Sequence, residues 1–390
     1  MPRFTVLDSW RGVCALWVVL YHFRTMGHYT PVSQYGFLGV EFFFVLSGFV
    51  ISHAYGERLG DTLARVQFTI RRFGRLYPLH LAMFAATLAM EIARWALVWK
   101  LGRPLGPPPF TGDTDPRAIL ANLTLTQGLG TFQHYTWNVP SWSISVELFL
   151  YATFALISLT GRSVAISVVL LIAGFFVRLW MGWLPEHLPE GYEGVPVGIY
   201  GFYAGAVLYR IYRLMLAKGW RTPGWAEWVT PFCFVGATVS VANNFWPGPV
   251  LFFAPLILIF AFEGGPLSKL MATRPLARVG EVSYSIYLLH YVLVLAIFGA
   301  ATAAGAVLGR HFFAPTERPV LDFGSPWLND GAAVAMVLLT ILLANITYEW
   351  IERPGRDYFN RLAKHPAVAR RFASRREGGV EPDPVSPGGA

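Results

Sequence analysis

Ten stretches of roughly 20 mostly apolar residues, the length that crosses a bilayer as a helix, recur along this 390-residue chain. They lie near 8–25, 36–55, 77–99, 141–160, 163–183, 196–212, 226–243, 249–263, 283–305 and 331–351. Backbone surrounded by hydrocarbon must satisfy its own hydrogen bonds. The expected fold is therefore all-α, a polytopic membrane protein with about ten transmembrane helices. Composition agrees: only 14% of residues are charged and mean hydropathy is +0.45, whereas soluble domains carry about 25% charge.

The net charge of +8 is read as orientation rather than as a nucleic-acid footprint. With the N-terminus in the cytoplasm and the spans alternating, 22 of the 31 Lys and Arg fall on the cytoplasmic side. Six fall outside, and Arg11, Arg94 and Arg178 lie within spans. This is the asymmetry of positive-inside topology, and it places both termini in the cytoplasm. The expected location is a cell membrane of the bacterial inner type, with the lipid bilayer as partner and no nucleic acid. Cys14 and Cys233 both sit in apolar runs, so neither a disulfide framework nor a metal site is expected. No small-residue cleavage site follows the first apolar run, and a removable signal peptide is not expected. Residues 1–356 read as one transmembrane domain. Residues 357–390 read as a tail, basic at first and then disordered.

Ionisable groups inside spans are costly, so each one raises a functional question. In LDSWRGVCALWVVLYHF, Arg11 and His22 are eleven residues apart, three turns plus about 20°. They share a helix face and stand roughly 16 Å apart, and Asp8, one turn before Arg11, can pair with it. Glu41 lies at the outer end of the second span, and Ser47-Gly48 in that span suits close helix packing. Arg71, Arg72 and Arg75 cluster at the cytoplasmic mouth of the third span. Guanidinium groups match phosphate oxygens there, with Arg72 and Arg75 facing one anion; anchoring lipid phosphates is the blander use. In NVPSWSISVELFLY, Ser143 and Glu147 fall at i and i+4. A carboxyl so deep in an apolar helix needs a partner. In VSYSIYLLHY, Ser283, Tyr287 and His290 form one polar stripe. Glu349 and Glu352 in TYEWIERP are read as partners for inner-loop arginines. Two His, one Glu, a Ser/Tyr stripe and an anion site suit acid–base group transfer. The alternative from the same groups is a proton-coupled transporter or polysaccharide exporter.

These motifs, in this order, resemble the acyltransferase-3 family of polytopic membrane O-acyltransferases, which modify mainly carbohydrates. The resemblance rests on Arg11-x10-His22, GVEFFFVLSGFVI, RRFGRLYP, WSISVELFLY with Trp142, SYSIYLLHY and the closing E-x-x-E-R-P. It runs over residues 5–356. It implies an acyl-CoA donor, commonly acetyl-CoA, used from the cytoplasm with no permanently bound cofactor, and a carbohydrate acceptor. His22, Glu147 and Arg11 become the catalytic candidates, and Arg71, Arg72 and Arg75 the acyl-CoA-binding ones. Asp8, Glu41, Trp142, Ser143, Ser283, Tyr287 and His290 become acceptor or supporting residues. His22 would act as general base or as acyl carrier, with Glu147 orienting it or binding sugar hydroxyls. Some members carry an extra SGNH-type domain, which this chain is not expected to have.

Overall fold

The computed structural model describes residues 4–102, 107–184, 188–316, 319–368 and 370. Each apolar segment is helical. The ten helices are α1 (Thr5–His22), α2 (Leu38–Tyr55), α3 (Thr62–Leu101), α4 (Trp142–Ile157), α5 (Ser163–Gly182), α6 (Glu190–Ala217), α7 (Thr230–Ala242), α8 (Gly248–Phe260), α9 (Ser283–Leu308) and α10 (Pro326–Thr347). Among the described residues β-pairing is limited to isolated bridges, Thr25 and Phe313 each with Leu321. The chain is a polytopic helical membrane protein.

Six of the ten are long and apolar enough to cross a bilayer by themselves: α2, α3, α4, α5, α9 and α10. The other four differ for visible reasons. Helix α1 carries Asp8 and Arg11, and α6 opens with Glu190 and Glu193. Helices α7 and α8 have 13 residues each, about 20 Å at 1.5 Å per residue. Pro231 and Pro249 sit in their first turns, and a turn through Asn243 and Asn244 joins them. They form a short hairpin rather than two full spans. Helix α3 begins well before the expected segment, because the Asp61 side chain caps it by accepting from the Ala64 N–H at 2.7 Å.

Connections gather at two ends. At one, His28 Nδ1 pairs with Asp330 at 2.7 Å and Gly191 N donates to the Gln133 carbonyl at 3.1 Å. At the other, Arg213 reaches Glu57 and Arg278 reaches Glu349. The second end also holds Arg71, Arg72 and Arg75, in the first half of α3, and is called the basic end below. Exposed tryptophans mark both: Trp95, Trp99, Trp183 and Trp327 at one, Trp220, Trp225, Trp228 and Trp350 at the basic end. An amphipathic indole suits the headgroup layer.

Helix α1 is polar yet interior. It crosses the short helix Arg274–Glu281 with glycine on both sides: a Cβ on Gly12 would lie 2.8 Å from the Gly280 nitrogen. A larger residue at either position would push the helices apart. Gly48 does the same for α2, packed on the backbone carbonyl of Phe202 in α6. After α10 a single π-helical turn, Tyr348–Glu352, leads into the amphipathic helix α11 (Arg353–Ala363). Phe359 and Gly355 of α11 lie against Gly74 and Pro78 of α3, so the start of the basic tail braces the arginine cluster. Most of the expected tail, residues 371–390, lies outside the described residues.

Candidate active site

A cavity of about 130 Å³ opens between α1, α2, α3, α4 and α9. Its polar lining is Arg11, Ser47, Arg72, Arg75, Ser143, Glu147, Tyr151, Ser283, Tyr284 and Tyr287, and the rest is apolar, mainly from α2. Arg71 is not among the lining residues, so of the three expected arginines two reach the cavity.

Three arginines border the cavity, and they differ in what already holds them. Arg11 pairs with Asp8 at 3.1 Å, as their spacing predicts, and donates to Ser283 Oγ at 2.8 Å and the Gly280 carbonyl at 3.0 Å. It clamps α1 to the start of α9. Arg75 is ion-paired with the fully buried Glu352 carboxylate, whose other oxygen accepts from Ser285 Oγ at 2.7 Å. Arg72 donates to the Tyr55 hydroxyl at 3.1 Å and lies over the Tyr55 ring at 5.0 Å. Its Nε is buried without a partner among the described residues. A cation with spare donors facing a cavity is the group best fitted to meet an incoming anion. Glu349 and Glu352 both pair with basic-end arginines, as expected, Glu349 with Arg278 and Glu352 with Arg75, although 277 residues separate the latter two.

Midway up, Glu147 accepts hydrogen bonds from Ser47 Oγ at 2.9 Å and from the Tyr151 hydroxyl. Its expected roles are orienting His22 or binding sugar hydroxyls; it makes no bond to His22. Ser47, grouped with Gly48 as a packing pair, turns out to point to the cavity instead. At the far end Ser143 Oγ and the Tyr287 hydroxyl bond each other at 2.8 Å, and Tyr287 also donates to the Pro140 carbonyl at 2.9 Å. One turn beyond Tyr287, His290 is fully buried and its Nε2 lies 3.1 Å from His22 Nδ1. The stripe Ser283, Tyr287 and His290 thus meets Arg11, Ser143 and His22 in turn.

The hydrogens on this pair follow from chemistry when both rings are neutral. His290 Nδ1 sits 3.2 Å from the Ile286 carbonyl, and a carbonyl only accepts, so Nδ1 carries the hydrogen and Nε2 the lone pair. His22 Nδ1 faces both that lone pair and the Val18 carbonyl at 3.1 Å. It must donate. His22 Nε2 is left as a bare acceptor with no hydrogen-bond partner among the described residues.

Beyond the histidines lies the outer cap. Trp142 stacks on Tyr135 at 4.9 Å with an 8° interplanar angle, a platform the spacing of motifs did not reveal. In the loop before it, burial pushes the Asp113 carboxyl up from its ordinary value while neighbouring His134 pulls it down. Glu41 is placed elsewhere: it is buried in an ion pair with Arg178 at 2.7 Å, away from the cavity.

A cavity bordered by arginines whose far end is the Ser143–Tyr287 pair, with the His22–His290 pair one turn beyond its lining, all inside a helical membrane bundle, suits group transfer. The profile of the acyltransferase-3 family, described as an acyltransferase domain, matches residues 4–349. The chain belongs to that family and is a multi-pass membrane acyltransferase, which sets aside the transporter alternative. It is 24% identical over 379 residues to the peptidoglycan O-acetyltransferase OatA of Listeria monocytogenes, covering 90% of this chain and 55% of that one. Acyltransferase MdmB of Streptomyces mycarofaciens is 24% identical over 360 residues, covering 83% and 81%. A Rhizobium radiobacter protein, "Protein 2 in picA locus", is 35% identical over 165 residues, covering 39% and 81%. The chain spans about half the length of the OatA-type relatives it matches. No solved structure is a significant match.

Proposed function

We propose that this protein is an O-acyltransferase of a bacterial inner membrane. It moves an acyl group, most simply acetyl, from acyl-CoA to a hydroxyl of a cell-surface or lipid-linked carbohydrate. The observation that carries this reading is the cavity itself, which leads from Arg72 to the Ser143–Tyr287 pair beneath His22. The donor enters from the basic end, with its phosphates at Arg72 and Arg75 and its thioester arm rising past Arg11 and Glu147. The O-acetyltransferase relatives support the acyl group and the class of acceptor.

The chemistry then falls to the bare Nε2 of His22. As the acceptor oxygen attacks the thioester carbonyl carbon, Nε2 takes the hydroxyl proton. The C–S bond breaks, the ester forms, and the proton passes from Nε2 to the departing thiolate. His290 is a positioning residue. Its lone pair holds the His22 Nδ1 hydrogen and strengthens as the His22 ring gains charge. Ser143 and Tyr287 stand next to the place where the carbonyl oxygen becomes negative; their hydrogens are engaged with each other and with the Pro140 carbonyl, so a hydroxyl must turn from that bond to donate to it.

The test is transfer from labelled acetyl-CoA to a glycan acceptor by purified protein in detergent. His22→Ala should lower turnover by about 10² to 10⁴-fold at unchanged protein yield; near-normal turnover would sink the assignment. His290→Ala should lower kcat by about tenfold while leaving the donor KM alone.

A further inference from the structure

A second, smaller cavity, partly open to solvent, lies at the basic end between α2, α4, α5 and α6. It is separate from the transfer cavity, which borders α3 and α9 instead. Its polar lining is Ser52, Tyr55, Ser158, Ser163, Ser167 and Arg210, and none of its lining residues is acidic. Ser158 and Ser167 donate to the carbonyls of Ala155 and Ser163 at 2.6 and 2.7 Å. Ser52 is different. It is only 6% exposed, yet its hydroxyl has no hydrogen-bond partner among the described residues and faces the cavity. The Ser163 hydroxyl is likewise unpartnered there. The Tyr55 hydroxyl accepts from Arg72 and keeps its own hydrogen to give.

The 20-residue helix α5 also starts here. Its N-cap residue, Arg162, supplies no capping side chain, and Ser163 and Val164 of its first turn line the cavity. First-turn N–H groups and the positive end of the helix dipole attract anions. Arg210 adds a full charge from the opposite wall. The nearest acid to it, Glu57, lies 3.9 Å away and is closer to Arg213, at 3.4 Å.

We propose that this cavity binds the phosphate of a phosphate ester, held by Arg210, the hydroxyls of Ser52 and Ser163, and the first turn of α5. The cavity is open on one side and partly lined by Phe154, Val164 and Val207, which suits the apolar part of an ester better than the free ion. Two sources share this chemistry: the headgroup of an anionic lipid, and a phosphate of the nucleotide end of a donor. Tyr55 stands between this cavity and Arg72, so occupancy would be felt in the transfer site one ring away.

The full-length protein in neutral detergent would be titrated with short-chain phosphatidylglycerol and, separately, with adenosine 3′,5′-diphosphate. At least one should bind saturably, and Arg210→Gln and Ser52→Ala should each weaken that binding about tenfold. Arg210→Lys should keep most of it, which separates lost charge from lost fold. Displacement by the nucleotide identifies a donor phosphate; retention of the lipid alone identifies a headgroup. Binding of neither probe would overturn the proposal. So would binding that Arg72→Gln abolishes while both second-cavity variants leave it intact. His22→Ala should leave binding unchanged, so a failure of the transfer mechanism and a failure of this site read out separately.

Discussion

Two Arg–Glu pairs of the bundle differ in their surroundings: one stands on the wall of the transfer cavity and one is sealed between α2 and α5. Around Arg75 and Glu352 every strong group has a use: Ser285 takes the second carboxylate oxygen, and the guanidinium lies over the Tyr284 ring at 5.3 Å. The Arg75 side chain remains 21% exposed, toward the cavity. The pair of Arg178 and Glu41 is 1% and 5% exposed. Arg178 donates to Glu41 and the Trp246 carbonyl, but its Nε and Nη1, and Glu41 Oε2, have no partner among the described residues. The open pair can exchange its partner for a ligand or water. The sealed pair can only keep the one it has.

That contrast orders the effects of mutation. The largest loss of stability should follow Glu41→Ala or Arg178→Ala, about 3 to 5 kcal/mol, because each strands a buried charge. Thermal unfolding in detergent would show it, and the double replacement Glu41→Leu with Arg178→Met should recover most of the loss. A mild effect of either single change would mean that the sealed pair is wetter than its packing implies. Next, Arg72→Gln should raise the donor KM by about 10- to 100-fold, the worth of a charge-assisted hydrogen bond to phosphate. Smaller again, Glu352→Gln leaves Arg75 unneutralised beside the cavity, so the donor KM should fall about three- to tenfold. A rise would show that Glu352 serves to aim Arg75 rather than to balance it. Arg71→Gln, outside the lining, should change the donor KM by less than about twofold. Steady-state kinetics at varied acetyl-CoA checks all three.

The same contrast shows what could be read from the chain. Spans are legible because lipid demands apolar runs of known length, and spacing within one helix is legible because its period is fixed. Asp8 with Arg11, and the stripe through Ser283, Tyr287 and His290, were both visible in that way. Partners from distant helices were not. Arg178 looked like a stray charge within a span because Glu41 lies 137 residues away, and His22 meets His290 across 268. Glu147 needed a partner, and hydropathy said so; Tyr151 at i+4 lay within the reach of helix spacing, whereas Ser47, 100 residues away, did not. The outer platform of Tyr135 and Trp142 joins a loop to a helix start, and loops carry no period to read.

Helix α1 has one consequence of its own. It is continuous from Thr5 to His22 and is pinned near its base by Arg11 and by the contact of Gly12 with Gly280. A rigid rod fixed at one end is a ruler. The distance from the clamp to the reacting nitrogen is counted in residues, not adjusted by side chains. One residue inserted between Arg11 and His22 would lengthen the rod by only about 1.5 Å but swing the imidazole about 100° off the cavity. On the proposed mechanism, the reach from the donor's phosphates to the imidazole is then set by the backbone of α1.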